Sequence, residues 1–388
     1  MEERERTKEE VLVRLFAPQV RLSSNDPWNP ASVEWFVQRS ELCFDERVAM
    51  WAPFSMWQRE ATSIIDESPT THNLHLHKHQ FKGDVFSSGG NEPSEQSSRF
   101  FLRLTSPSFY AGSSPDDLSE GKVPVYVHVI YHEDYVAIQY FFFYAFNGNI
   151  VDWLPSVGIH EGDWEHTTVR LHREALSFIP ASYPAQEWQM ASMEELRGFI
   201  ISIFFARHGQ EGKWYFQPTN EHSLDDSGYL LVEGTAHHVV YSAKGGHASY
   251  TKSCSRHRRF VPRGLPLLLF DDYTDALGIV WNTWDNVVLL QGDDPSQLWL
   301  HFAGQWGAKS RSILSTNGPY GPLLKHYFAS GDSDPTPFNS TQMGSPSPSP
   351  CSEHLGFWMR IGLTIGIIGL LFAGLASVLL WVFPDKAD

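Results

Sequence analysis

Tyr140-Phe141-Phe142-Phe143-Tyr144-Ala145-Phe146 is apolar at every position. A strand turns successive side chains to opposite faces, so a strand of this composition has to be covered on both sides. The run predicts a central, buried strand over 135–146. Downstream lies Gly158-Ile159-His160-Glu161-Gly162-Asp163-Trp164-Glu165-His166, continuing into Thr167-Thr168-Val169-Arg170-Leu171. As a strand from 163 to 171, this stretch puts Asp163, Glu165, Thr167, Val169 and Leu171 on one face. Trp164, His166, Thr168 and Arg170 share the other. The first face passes from acidic to aliphatic, the pattern of a strand that starts in a polar pocket and ends in a core.

Working outward, 11–22 reads as a first strand, and 123–130, 199–207, 229–232, 237–242 and 287–290 as further strands. Residues 32–43 have helical spacing, with Val33, Phe36 and Val37 on one side, and a short helix is expected over 186–198. Residues 82–98 and 105–121, rich in Gly, Ser and Pro, read as loops. Aromatics make up 14% of the chain, including 14 Trp and 26 Phe, which suits β structure. Many strands, irregular loops and few helices predict a mainly β protein, an antiparallel β-sandwich over 11–330 with a few short helices.

A charged tail, 1–10, precedes that domain, and a Ser/Pro-rich linker, 331–355, follows it. Residues 361–383, IGLTIGIIGLLFAGLASVLLWVF, hold no charged residue. About 20 apolar residues cross a hydrocarbon layer of about 30 Å, so a transmembrane helix is predicted over 356–383, with a short tail at 384–388. Trp358 and Trp381 suit its two interfaces. Gly362 and Gly366 form a G-x-x-x-G through which two such helices would make a homodimer. The charged start shows no signal-peptide pattern, and Arg360 lies on the body side of the run. The expectation is a single-pass protein of the endomembrane system or vacuolar membrane with its large domain in the cytosol. The sequon Asn339-Ser340-Thr341 is the one feature pointing the other way.

A net charge of −16 argues against a nucleic-acid partner and against simple electrostatic attraction to anionic lipid. Cys43, Cys254 and Cys351 form no C-x-x-C, so neither a disulfide framework nor a cysteine zinc site is expected.

The chemistry concentrates at 158–166. Two desolvated carboxylates a strand-step apart repel unless something positive offsets them, and the motif holds no Lys or Arg. A metal or a distant Lys244 would serve. Oxygen and nitrogen donors without sulfur suit a divalent cation held by His160, Asp163 and Glu165, with calcium, magnesium, manganese and zinc all open. The competing reading is a solvated strand end in which Trp164 is the structural element. His247 projects from the Gly245-Gly246 turn and His208 stands at a strand end; with His166 and Trp164 they are the candidate ligand-binding residues. His75, His77 and His79 alternate, with His72 near, which fits either zinc or a wet strand face. There is no G-x-S-x-G, no P-loop and no H-E-x-x-H.

These residues carry a resemblance. Phe16-Ala17-Pro18, Ser32-Val33-Glu34-Trp35-Phe36, the 158–166 motif, His208-Gly209 and Val240-Tyr241-Ser242-Ala243-Lys244-Gly245-Gly246-His247-Ala248-Ser249 together resemble the vacuolar protein sorting-associated protein 62 family, in its order and across most of 11–330. Gly304-Gln305-Trp306-Gly307 and Gly318-Pro319-Tyr320-Gly321-Pro322 are similar to its fungal and protist members, whereas the tether and terminal apolar run depart from it. More remotely, 158–166 is similar to the signature of the necrosis- and ethylene-inducing peptide-like proteins, β-sandwich cytolysins with a divalent cation near a sugar-headgroup site. That resemblance implies Asp152, His160, Asp163 and Glu165 as cation ligands. Glu161-Gly162 stand where the cytolysins have Arg-His, which puts lysis in doubt.

Three functions follow. The first is a membrane-anchored, non-enzymatic recognition module of vacuolar or endomembrane sorting, whose partner is a lipid or glycan headgroup or a sorting protein. The second is a metal-assisted hydrolase of a lipid or glycan ester, with His208 or His247 as base. The third is a cytolysin-like membrane-active protein.

Overall fold

The chain opens on a helix where its hydrophobicity predicted a strand. Thr7 accepts the Glu10 N–H at 3.2 Å while the Glu10 carboxylate accepts the Thr7 N–H at 3.0 Å, a reciprocal cap. The helix α1 (Lys8–Leu15) then buries Val11, Leu12 and Val13, so the apolar start of 11–22 is helical and only β1 (Gln19–Arg21) is extended. Ser32 caps α2 (Val33–Val37), which buries Val33, Phe36 and Val37 as their spacing requires. The helix stops early, and the rest of that segment is strand β2 (Ser40–Asp45). The strands β3 (Thr62–Asp66) and β4 (Phe100–Leu104) follow. The stretch 105–121, read as loop, holds a 3-10 turn and α3 (Pro115–Ser119), whose Ser114 cap and leading proline set its start.

Next come β5 (Val125–Tyr131), β6 (Tyr135–Asn147) and β7 (His160–His172), close to their predicted places. Then follow β8 (Ile200–Arg207), β9 (Glu211–Tyr215), β10 (Val239–Ser242), β11 (Ser249–Tyr250), β12 (Cys254–Arg259), β13 (Phe270–Thr274), β14 (Val280–Asn282) and β15 (Val287–Leu289). The predicted strand 229–232 has only isolated bridges at Tyr229 and Leu231. A helix at Met193–Gly198 occupies the end of 186–198.

This computed structural model describes residues 7–45, 62–74, 99–148, 158–179, 193–207, 211–219, 228–259, 270–308 and 318–330. They belong to the first of two units, Met1–Pro350 and Cys351–Asp388. The linker 331–355, the apolar run 356–383, the tail 384–388, Asp152, His208, the 75–79 histidines and Asn339 lie outside the described residues. Among the described residues no helix is long and apolar enough to cross a membrane.

Among the described residues four sheets form, ordered β15-β5-β6-β7-β8-β9, β11-β10-β1-β14, β3-β2-β4 and β12-β13. The six-stranded sheet is the centre, and both of its faces are buried. One face, through Ile138, Tyr140, Phe142, Val169, Leu171 and Phe205, packs with α1 and with Val20, Val240 and Trp281 of the four-stranded sheet. The other, through Tyr126, Phe141, Phe143 and Trp164, packs with α2, with Leu42 and Leu102 of the three-stranded sheet, and with Trp299 and Trp306. The protein is thus mainly β with a few short helices. It is not wholly antiparallel: β1 runs parallel to β10 and β15 parallel to β5. Strands joined by a short turn, such as β5 and β6, must be antiparallel; these two pairs join strands distant in sequence, for which no hairpin dictates direction.

Candidate functional site

The β6–β7 register sets Tyr144 opposite Asp163 and Phe142 opposite Glu165, so the acidic start of β7 lies against the central strand. Asp163 and Glu165 are buried. Asp163 is matched from another sheet. After β10 the chain turns through Gly245 (φ 80°) and brings His247 back in the left-handed region (φ 52°), a conformation rare for a non-glycine residue. The His247 ring is 1% exposed and stacks on Tyr144, with centroids 3.8 Å apart and planes 3° apart. Its Nδ1 donates to Asp163 Oδ2 at 3.0 Å.

The other ring nitrogen finds Asp26, which the sequence reading did not select. His247 Nε2 faces Asp26 Oδ2 at 3.6 Å, an ion-pair distance beyond a hydrogen bond. Asp26 Oδ2 also accepts the Gly245 N–H at 2.8 Å, so one carboxylate fixes the turn that presents the histidine. Burial raises the Asp26 carboxyl above the usual range, against the opposing effect of His247. Tyr144 meets Ser242 Oγ at 3.1 Å; burial first, then Asp26, Asp163 and Glu165, keep its phenol protonated. Asp26 sits in Ser23-Ser24-Asn25-Asp26-Pro27, which reads only as a turn. No spacing rule links it to His247.

His160 is partly buried and donates from Nδ1 to the Gly162 carbonyl at 2.6 Å. Burial lowers its pKa, with Asp163 opposing, which favours the neutral ring with Nε2 bare. Glu161 turns away from this group: it accepts the Leu104 N–H at 2.9 Å and the Tyr110 hydroxyl at 3.2 Å, and burial raises its pKa. Trp164 and His166 lie on the opposite face. Trp164 packs among Trp299, Trp306 and Phe143, and His166 stacks on Phe141, Phe204 and Tyr327. These two predicted ligand-binding residues are therefore not brought together with Asp163 and His247.

Lys325, just ahead of the helix His326–Ser330, is a cation within electrostatic reach of the acidic pair. Burial pulls its ammonium pKa down while Asp163 and Glu165 hold it up. Lys244, the residue named from sequence, acts instead on Asp26. His160 and Asp163 have the right donor chemistry for a divalent cation. However, among the described residues no group of three or more His, Cys, Asp and Glu is placed to hold one. Metal analysis of purified protein, with and without Asp163→Ala, tests the expected cation site: one equivalent of divalent metal that disappears in the variant would establish a cradle completed by residues such as Asp152, and metal-free wild type would overturn it.

No known protein-family profile matches the chain. Among solved structures it is similar to the non-toxic HaNLP3 protein, at a TM-score of 0.30 and 11% identity over 76% of this chain and 81% of that one. It is also similar to Necrosis and Ethylene inducing Protein 2 from the causal agent of cocoa's Witches Broom disease, at 0.30 and 12% over 82% and 89%. Likenesses of this size establish neither fold nor activity. Over 341 residues the chain is 24% identical to TDA6 of Saccharomyces cerevisiae (strain ATCC 204508 / S288c), a provisionally named vacuolar protein sorting-associated protein, covering 79% of this chain and 65% of that protein's length. The chain is thus a distant relative of that vacuolar-sorting protein, in accord with the resemblance read from its motifs at that coarser level.

Proposed function

We propose that this chain is a recognition module of vacuolar protein sorting, of the vacuolar protein sorting-associated protein 62 type, which binds its ligand without transforming it. The observation that carries the reading is the 341-residue likeness to the yeast vacuolar-sorting protein. The site supports binding over catalysis. Its imidazole is 1% exposed, one ring nitrogen is committed to Asp163, and the other faces Asp26. A general base has to reach its substrate's proton, and a ring held this way is a fixed piece of scaffold. The Ser242 hydroxyl is engaged with Tyr144. The apolar run 361–383 is proposed to anchor the module, with the large domain in the cytosol.

In cells of the source organism lacking the gene, precursors of vacuolar hydrolases are expected to be missorted and secreted. The full chain should restore delivery. Normal hydrolase delivery in the deletion strain would overturn the reading. Protease added to intact microsomes should digest the large domain; its protection would reverse the orientation.

A further inference from the structure

His237 and His238 stand where the N-terminal elements meet the six-stranded sheet. His238 is 0% exposed, and its Nε2 meets Thr167 Oγ1 of β7 at 3.1 Å. Its Nδ1 faces the Phe16 backbone outside hydrogen-bond geometry. The ring lies edge-on to Tyr140 of β6 and Phe205 of β8. His237, half-buried, donates from Nδ1 to the Ala17 carbonyl at 2.8 Å and stacks on Trp284 with centroids 3.9 Å apart. The His238 carbonyl accepts the Gln19 N–H at 2.8 Å, next to the parallel pairing of β1 with β10. Tyr140 in turn donates to the Val13 carbonyl of α1 at 2.8 Å. Two adjacent imidazoles thus hold the junction of α1 and β1 against the central sheet. The charged or titratable groups on the elements around them are Arg14 and Asp285 at the Trp284 turn, Arg197 on the Thr235 carbonyl, and Tyr140. Glu165 and Arg207 follow two residues along from Thr167 and Phe205 on the same strand faces. No carboxylate among these supports an imidazolium at either position. Burial holds both rings in the neutral form, His237 down to about 4 and His238 to about 3, with His237 adding to the effect on His238.

We propose that His237 and His238 form an acid-opened latch: at about pH 5, protonation of the pair releases α1 and β1 from the six-stranded sheet while that sheet stays paired. The latch goes beyond the recognition reading and does not depend on it. A protonated His238 has a second N–H to place where water does not reach, and a charge beside a second charge. Release removes both costs, because the opened segment meets solvent. An imidazole held neutral in the closed state takes its proton only on opening, where its ordinary pKa is about 6.5. The closed state therefore has its full stability above about pH 6.5 and loses it as pH falls toward the closed-state values. At pH 5 each ring multiplies the open population about 30-fold, and the two together about 1000-fold. Opening uncovers the apolar face of β6, β7 and β8 that carries Tyr140, Val169 and Phe205.

Amide hydrogen exchange of the full-length protein in detergent micelles is followed by mass spectrometry at pH 7.5 and pH 5.0, each rate divided by the intrinsic rate at that pH. Protection over 8–21 is expected to fall about 1000-fold on acidification, with 163–171 nearly unchanged. His237→Asn keeps a donor where Nδ1 stands, His238→Gln keeps one where Nε2 stands, and neither new side chain titrates. The double variant should keep the same protection over 8–21 at both pH values, and each single variant should lose about 30-fold. The single variants serve if the double variant misfolds, and the wild-type profile stands by itself if all three do. Wild-type protection over 8–21 that is unchanged by acid would overturn the proposal. So would a fall of equal size over 163–171, which is unfolding of the whole sheet, or a fall as large in the variants as in wild type.

Discussion

Asp163→Ala is expected to destabilise the domain by about 3 kcal/mol, with Asp163→Asn costing about half of that. The carboxylate is buried and receives His247 Nδ1 at 3.0 Å from a ring that is itself 1% exposed. Alanine leaves that N–H without an acceptor in a place water does not reach. It also removes the one hydrogen bond that ties the His247 ring to β7. Asparagine keeps an oxygen for Nδ1 and loses the charge, so its smaller effect separates hydrogen bond from ion pair. The strain of His247 at φ 52° makes the site sensitive, because the left-handed conformation persists only while its surroundings hold it. Urea unfolding at constant slope measures the change. A loss below about 1 kcal/mol for Asp163→Ala, the average for any point substitution, would mean that the network does not stabilise the fold.

Gly162→Ala is expected to be still more damaging, at about 3–5 kcal/mol, enough to unfold a domain of ordinary stability or leave it insoluble. Gly162 stands at φ +62°, and an added Cβ would lie 1.7 Å from the Trp306 carbonyl oxygen. The approach is mutual, since a Cβ on Gly307 would lie 1.8 Å from the Glu161 carbonyl oxygen. Two glycines let the segment around Trp306 lie directly on the start of β7. Gln305 then pairs with Phe100 and Leu102 of β4 through its backbone. Gly234→Ala is the internal control: its φ is +70° and nothing lies within 4 Å of the added Cβ. That variant suffers only the left-handed penalty, about 1–2 kcal/mol. Equal losses for the two variants would show that the close contact at Gly162 adds nothing beyond backbone conformation. A thermal scan of both, with wild type alongside, decides it.

Sequence alone determined that β6 is buried on both faces, because an all-apolar strand has no face to give to water. It likewise determined that Asp163 and Glu165 share a side with Val169 and Leu171, because strand geometry alternates regardless of context. Asp163 and His247 were both singled out in the sequence, the latter because a Gly-Gly turn advertises an unusual backbone, and the structure brings them to 3.0 Å. The fate of 11–22 was less legible: its apolar content suits strand or helix, and the Thr7–Glu10 cap decides between them locally. Trp164 and His166 could be placed on a face from the strand period, yet what covers that face comes from Phe141, Trp299, Trp306 and Tyr327, far away in the chain.

Only tertiary structure decided what meets the acidic pair. Lys325, from the far end of the domain's sequence, comes within electrostatic reach of Asp163 and Glu165, and Asp26 faces the far nitrogen of the His247 ring that Asp163 holds. Locally Asp26 reads as a turn residue and Lys325 as a surface cation. Burial makes their charges count, because a low dielectric screens them little. Sequence periodicity reports which way a side chain points from its own strand; it carries no information about which charge another sheet brings to meet it.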